Sequence, residues 1–128
     1  MKMNKSPNEA AEQRTLFEWA SRMERRFPEL QLMFHIANGG SRDYREAHNL
    51  KLQGVKPGVP DICLPVPKGI YAALYIELKR REGGKVSDAQ RGWIKALNNA
   101  GNKAVICKGF DEARDAIIEY LNEGRKDF

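Results

Sequence analysis

The sequence contains little cysteine or histidine, with two residues of each in a chain of 128. Cys63 and Cys107 both lie in apolar, strand-like runs, so we expect two buried free thiols and not a disulfide or a zinc site. His35 and His48 lack the paired His or Cys spacing of a metal site. We interpret His35 as an ordinary strand residue. A chain of this length can bury enough surface to fold as one domain without cross-links.

Long hydrophobic runs are also absent, since none approaches the roughly 18 residues that a membrane span requires. The start, MKMNKSPNEA, has no apolar segment of the kind found in secretory signals. We therefore expect a cytoplasmic protein that does not associate with a membrane. We also expect polar, flexible termini over residues 1–5 and 124–128 and a single domain over residues 6–123.

The charge that is present is mainly positive. Lys and Arg number 22 against 17 Asp and Glu, which gives a net charge of +5 and a pI near 9.3. A basic domain of this size favours polyanionic partners, and nucleic acid is the first of these.

Helical and strand-like patterns alternate along the chain. A helix begins at a Ser6-Pro7 cap, with Glu9 completing a capping box, and ends before Pro28. The further predictions are strands over 30–38, 61–66, 71–79 and 103–108, and helices over 41–53, 87–99 and 111–121. This order predicts a single α/β domain in which helices flank a mixed β-sheet that contains one hairpin.

The hairpin brings acidic residues together. A turn centred on Gly69 places Asp61 opposite Glu77, with Lys79 on the same face and Leu78 on the other. Two opposed carboxylates repel each other unless a cation lies between them, and Mg²⁺ is the hard cation that prefers oxygen ligands. The lysine could then activate a water molecule or hold a phosphate oxygen. Solvated polar residues on an open sheet face are the alternative.

Two further polar residues point towards the same sheet. Glu12 lies in line with the apolar stripe of the first helix, although an acid near a helix N-terminus is also favourable in itself. Gln90 lies in line with Trp93, although a capping box with Ser87 would also explain it.

Five motifs in this order resemble a known nuclease family. They are Glu12-Gln13, Asn38-Gly39-Gly40, the GVKPGVPD segment ending at Asp61, YIELK over 75–79, and SDAQ over 87–90. The pattern is similar to the VRR-NUC nucleases of the PD-(D/E)XK superfamily, and it extends over about residues 9–121. The resemblance implies a restriction-endonuclease-like core and a stand-alone bacterial or phage protein. It also implies Mg²⁺- or Mn²⁺-dependent hydrolysis of DNA by a homodimer similar to Holliday junction resolvases, which cuts branched DNA.

The resemblance further implies roles for individual residues. Asp61, Glu77 and the backbone carbonyl of Leu78 would bind the metal, and Lys79 would position or activate the attacking water. Glu12 would act on the metal directly or through water, with Glu9 as a rival for that role. Gln90 would orient Lys79 or the scissile phosphate.

Basic residues near these motifs are candidates for binding DNA phosphates. They are Arg42, Arg45, His48, Lys51, Lys56, Arg80, Arg81 and Lys85, together with backbone amides near Asn38. Solvated faces and a plain turn are the alternatives. Two other functions also stay open, namely a general endonuclease that nicks duplexes or flaps and a DNA-binding module without catalysis.

Overall fold

The computed structural model describes residues 8–37 and 44–123. The elements, in chain order, are α1 (Glu9–Arg22), a 3₁₀ helix (Pro28–Leu32), β1 (Phe34–His35), α2 (Tyr44–Leu52), β2 (Ile62–Leu64), β3 (Leu74–Lys79), α3 (Asp88–Asn99), β4 (Lys103–Lys108) and α4 (Gly109–Leu121).

The four strands form one mixed sheet in the order β1-β2-β3-β4. The pairs β1–β2 and β2–β3 are antiparallel, whereas β3 and β4 are parallel and are connected through α3. Cys63 pairs with Tyr75 in the hairpin, which is the register that the sequence predicts. A single α/β domain with a mixed sheet flanked by helices is therefore confirmed.

The core lies between the sheet and the helices α1 and α4. Leu16 of α1, Ile76 and Leu78 of β3, and Ile117 and Tyr120 of α4 are all buried in one apolar cluster. Cys63 and Cys107 are buried free thiols, as predicted. No helix within the described ranges is both long enough and apolar enough to cross a membrane.

The prediction of a strand over residues 30–38 is wrong for most of its length. Its first part belongs to the 3₁₀ helix, and β1 contains only two residues. The buried residues Phe27, Leu30 and Met33 recur at a spacing of three, which is the period of a 3₁₀ helix and not of a strand. Pro28 supports this start because its ring fixes φ near the helical value.

Several predicted boundaries also change. The cap of α1 is Asn8 and not Ser6, since the Asn8 side chain accepts a 2.8 Å hydrogen bond from the Ala11 amide. The hairpin strands are shorter than predicted, so Asp61 lies just before β2. Ser6, Pro7, the segment 38–43 and both predicted flexible termini lie outside the described residues.

Candidate active site

Asp61 is held in place by hydrogen bonds from three directions. Its backbone carbonyl accepts from the amide of Ile36 at 2.7 Å and from Nδ1 of His35 at 2.8 Å. Its side-chain Oδ2 accepts from the amide of Leu78 at 2.8 Å. The short strand β1 and the residue after it therefore fix the backbone of Asp61, while β3 fixes its carboxylate.

Glu77 is buried in β3, with only 2% of its surface exposed. Its Oε2 accepts a 3.1 Å hydrogen bond from Nε2 of Gln90 and lies 3.5 Å from Nζ of Lys79. Its Oε1 is buried and has no hydrogen-bond partner among the residues that the structure describes. Because a buried carboxylate oxygen without a partner is costly, this atom indicates a position where a cation or a proton belongs.

The surroundings of Glu77 disfavour its negative charge. Burial, and then the neighbouring Asp61, raise the pKa of the Glu77 carboxyl to about 8, although Lys79 acts in the opposite direction. At neutral pH the carboxyl thus retains a proton unless a cation takes its place.

A third carboxylate completes a cluster that fits a divalent metal. Glu9, Asp61 and Glu77 each offer an oxygen, and these oxygens lie within 4.8 Å of one another. Opposite ligands around Mg²⁺ are about 4.2 Å apart, so small side-chain movements would close the site. Glu9 and Asp61 line a cleft of about 210 Å³, together with Leu78 and His35. The oxygen-only donor set and the unpartnered Glu77 oxygen fit Mg²⁺ or Mn²⁺.

Glu12 lies outside this cluster and has other partners. It is buried, as its place on the apolar stripe predicts, but its Oε2 accepts from Nε of Arg81 at 3.0 Å. Its Oε1 accepts from the amide of Phe110 at 3.0 Å. Gly109 leaves room for this arrangement, because an added Cβ there would lie 2.5 Å from Cγ of Arg81. The geometry thus places Glu9, and not Glu12, among the three clustered carboxylates.

Gln90 combines two functions that the sequence presents as alternatives. Its Oε1 accepts from the Ser87 amide at 2.9 Å, and the backbone amide of Gln90 donates to Oγ of Ser87 at 3.1 Å, which is a complete capping box for α3. Its Nε2 simultaneously binds Glu77. The helix cap therefore fixes the amide that orients the buried carboxylate.

Comparison with known proteins then decides the family. The family model of the VRR-NUC domain matches residues 4–111, which is most of the chain. The chain belongs to the VRR-NUC family. A solved structure titled "VRR_NUC domain protein" is similar to it, with 29% identity, a TM-score of 0.83, and coverage of 96% of this chain and 95% of that one. No curated protein matches the chain.

Family membership confirms the resemblance and gives this VRR-NUC chain a nuclease-type function that involves binding to DNA. The acidic cluster agrees with the divalent metals that this nuclease family generally uses.

The predicted DNA-binding residues of this VRR-NUC domain divide into three groups. Arg81 pairs with Glu12, so its charge is partly neutralised within the protein. Asn38 and Arg42 lie outside the described residues. The remaining candidates are exposed, either on and after α2 or in the turn that follows Lys79, and they are Arg45, His48, Lys51, Lys56, Arg80 and Lys85.

Sequence reasoning gave little weight to two residues of the VRR-NUC cleft. Glu9 lies four positions before Gln13 and therefore on the same side of α1, which is a signal that the sequence does contain. His35 reaches the cleft only through its bond to the backbone of Asp61. No local pattern reveals that contact, because it depends on the pairing of β1 with β2.

Proposed function

We propose that this VRR-NUC domain is a Mg²⁺- or Mn²⁺-dependent endodeoxyribonuclease that hydrolyses phosphodiesters in branched DNA, such as four-way junctions. The observation that supports this most strongly is the buried, unpartnered Oε1 of Glu77 within a cluster of three carboxylates. Lys79 lies next to that cluster, with only 6% of its surface exposed. A folded protein tolerates such a cluster when a bound cation offsets the repulsion between its charges.

Glu9, Asp61 and Glu77 would hold the ion, and the backbone carbonyl of Leu78 is a further candidate ligand. A divalent ion bound there would supply a nucleophilic water at neutral pH and neutralise charge on the phosphate. The hydrogen bond from Leu78 to Asp61 and that from Gln90 to Glu77 fix both carboxylates before substrate binds. This preorganisation lowers the cost of reaching the reactive geometry.

Lys79 is the cation nearest to the reacting phosphate in this proposal. Its ammonium group has three donors, of which one faces Glu77. The others would position the attacking water or hold a non-bridging phosphate oxygen. Gln90 would act on Lys79 and the phosphate only through Glu77, so it is a positioning residue.

Glu12 takes no part in metal binding in this proposal, because both of its oxygens already accept hydrogen bonds from Arg81 and Phe110. It instead ties α1, which carries Glu9, to the chain after β3 and to the start of α4. Exposed cations, above all Arg80 and Lys85 after Lys79, would bind flanking phosphates.

Symmetric cutting of a four-way junction requires two active sites, so we also propose that the chain acts as a homodimer in the cytoplasm of a bacterium or a phage-infected cell. Sedimentation should then give twice the mass of one chain. A protein that stays monomeric while bound to a junction would contradict this part of the proposal.

The function is tested by cleavage of a labelled four-way junction beside a linear duplex of the same sequence, with Mg²⁺, Mn²⁺ or EDTA. We expect metal-dependent cutting of the junction and much slower cutting of the duplex. Equal cutting of both would retain the nuclease and favour a general endonuclease. Binding to the junction without cutting in either metal would favour a non-catalytic DNA-binding module.

A further inference from the structure

A second, larger hollow continues from the acidic cleft along α1. It has a volume of about 420 Å³ and is lined by Ala10, Gln13, Arg14, Phe17 and His35. Ala10, Gln13 and His35 also line the acidic cleft, so the two hollows adjoin each other, and we call them together the trough. Its volume falls within the range of about 300–1,000 Å³ that is typical of small-molecule sites.

The trough changes from acidic to apolar and basic along its length. Glu9 lies at the acidic end, whereas Phe17 is eight residues later on α1 and therefore about 12 Å further along the helix axis. Phe17 is half-buried and packs against the core, which makes it a fixed surface. Arg14 is exposed and has no hydrogen bond or ion pair within the described part of the chain.

His35 contributes an acceptor of known tautomer. Because a carbonyl oxygen can only accept, the 2.8 Å contact with the carbonyl of Asp61 requires a hydrogen on Nδ1 of His35. In the neutral ring, Nε2 is then an acceptor. The His35 side chain is exposed and lines both hollows.

We propose that this trough binds one nucleotide of the substrate strand next to the scissile phosphate, with its base out of the helical stack. Phe17 would contact the face of the base, Arg14 would bind the flanking phosphate, and Nε2 of His35 would accept from a base N–H group. This inference rests on the proposed function, because the acidic cluster defines where the scissile phosphate lies.

The contact with Phe17 gives the nuclease a physical reason to prefer branched DNA. The face of a base is accessible only when the base leaves its stack. Leaving the stack costs less free energy at a branch point, where stacking is interrupted, than within a continuous duplex. Stacking on an aromatic side chain tolerates any base, so this selectivity depends on DNA structure and not on sequence.

The test combines an abasic scan with two variants of the full-length protein. Cleavage with Mn²⁺ first locates the cut in a four-way junction, and affinity is then measured in EDTA by fluorescence anisotropy. An abasic residue next to the cut should weaken binding to the wild-type protein about tenfold. Phe17→Leu should weaken binding to the intact junction by a similar factor and bind the abasic junction no more weakly, because both changes remove the same contact.

Arg14→Ala serves as a second variant that leaves the core intact, with Arg22→Ala on the exposed end of the same helix as its control. Arg14→Ala should reduce the salt dependence of log K by about 0.7–0.9, which corresponds to one phosphate contact, while Arg22→Ala leaves it unchanged. Independent effects of Phe17→Leu and the abasic residue would overturn the trough assignment alone. Absence of cutting by the wild-type protein would overturn the proposed function, and this inference with it.

Discussion

The Glu77 carboxylate shows at the scale of one residue how function conflicts with stability. In the metal-free protein, burial and Asp61 raise its pKa to about 8 from a usual 4.5. Between pH 4.5 and pH 8, Glu77 keeps a proton in the folded state that it has lost in the unfolded state. The protonated Glu77 carboxyl therefore contributes its full stabilisation of the folded state below pH 4.5. This contribution is lost as the pH rises through 8.

We expect Glu77→Gln to stabilise the metal-free protein relative to wild type at pH 8 and to have little effect at pH 4.5. The difference should be on the order of a few kcal/mol, since each unit of pKa difference corresponds to about 1.4 kcal/mol. Thermal unfolding in EDTA at both pH values measures it. The same difference at both pH values would show that the Glu77 carboxyl does not titrate in this way.

Two of the three glutamates of α1, Glu9 and Glu12, should separate metal binding from stability. Glu9 is exposed and belongs to the carboxylate cluster, whereas Glu12 is buried and binds Arg81 and Phe110. Glu9→Gln should therefore weaken Mn²⁺ binding, measured by titration calorimetry, with little loss of stability. Glu12→Gln should retain Mn²⁺ binding and lose about 1–3 kcal/mol of stability. The opposite pattern would restore Glu12 as the metal ligand.

At the scale of an element, α3 links the fold to the site. The capping box starts this helix at Asp88, and Gln90 in its first turn orients Glu77. The loop before β2 packs against this same turn, since a Cβ at Gly58 would lie 2.6 Å from the backbone carbon of Ala89. The position of α3, and with it the orientation of Glu77, therefore depends on a glycine at position 58.

Gly58→Ala should displace the start of α3 and weaken both folding and catalysis. Its φ of +87° and the contact with Ala89 together predict a loss of roughly 2–4 kcal/mol. Gly54→Ala is the matched control, because Gly54 has a φ of +101° and, within residues 8–37 and 44–123, no neighbouring atom lies within 4 Å of an added Cβ. The control should lose about 1–2 kcal/mol from backbone strain and keep its nuclease activity. Similar melting temperatures and activities for the two variants would contradict this packing argument.

The elements that the sequence predicts best are those with a strong local signal. The capped helix α3 and the hairpin register follow from Ser87, Gln90 and the Gly69 turn, and the structure agrees with both. The sequence predicts a strand for the segment before β1 because its apolar residues suit one, and this prediction is wrong. The spacing of the buried residues Phe27, Leu30 and Met33 is that of a 3₁₀ helix.

At the scale of the whole molecule, the parts of the site that escape prediction are contacts between distant segments. Arg81 reaches Glu12 across 69 positions, and the Phe110 amide reaches it across 98. The helical stripe correctly predicts that Glu12 points inward, but periodicity does not say which partner it meets there. The hairpin, by contrast, brings Asp61 and Glu77 together through pairing that the sequence itself specifies.

The whole chain also assembles a continuous surface that no single element provides. Glu9 from α1, Asp61 from the loop before β2, and Glu77 from β3 meet at one end of the trough that extends along α1. In these proposals, the acidic end of this surface holds the catalytic metal, and the end at Phe17 binds a nucleotide of the substrate.

The proposed function requires Glu77 to hold the catalytic metal. The most direct measurement compares Glu77→Ala with Glu18→Ala, which removes an exposed acid from α1, in cleavage and binding of a labelled four-way junction. We predict that Glu77→Ala loses cleavage by about 1,000-fold or more and keeps its affinity for the junction in EDTA, while Glu18→Ala cuts like wild type. Cleavage by Glu77→Ala at the wild-type rate would show that Glu77 does not hold the catalytic metal.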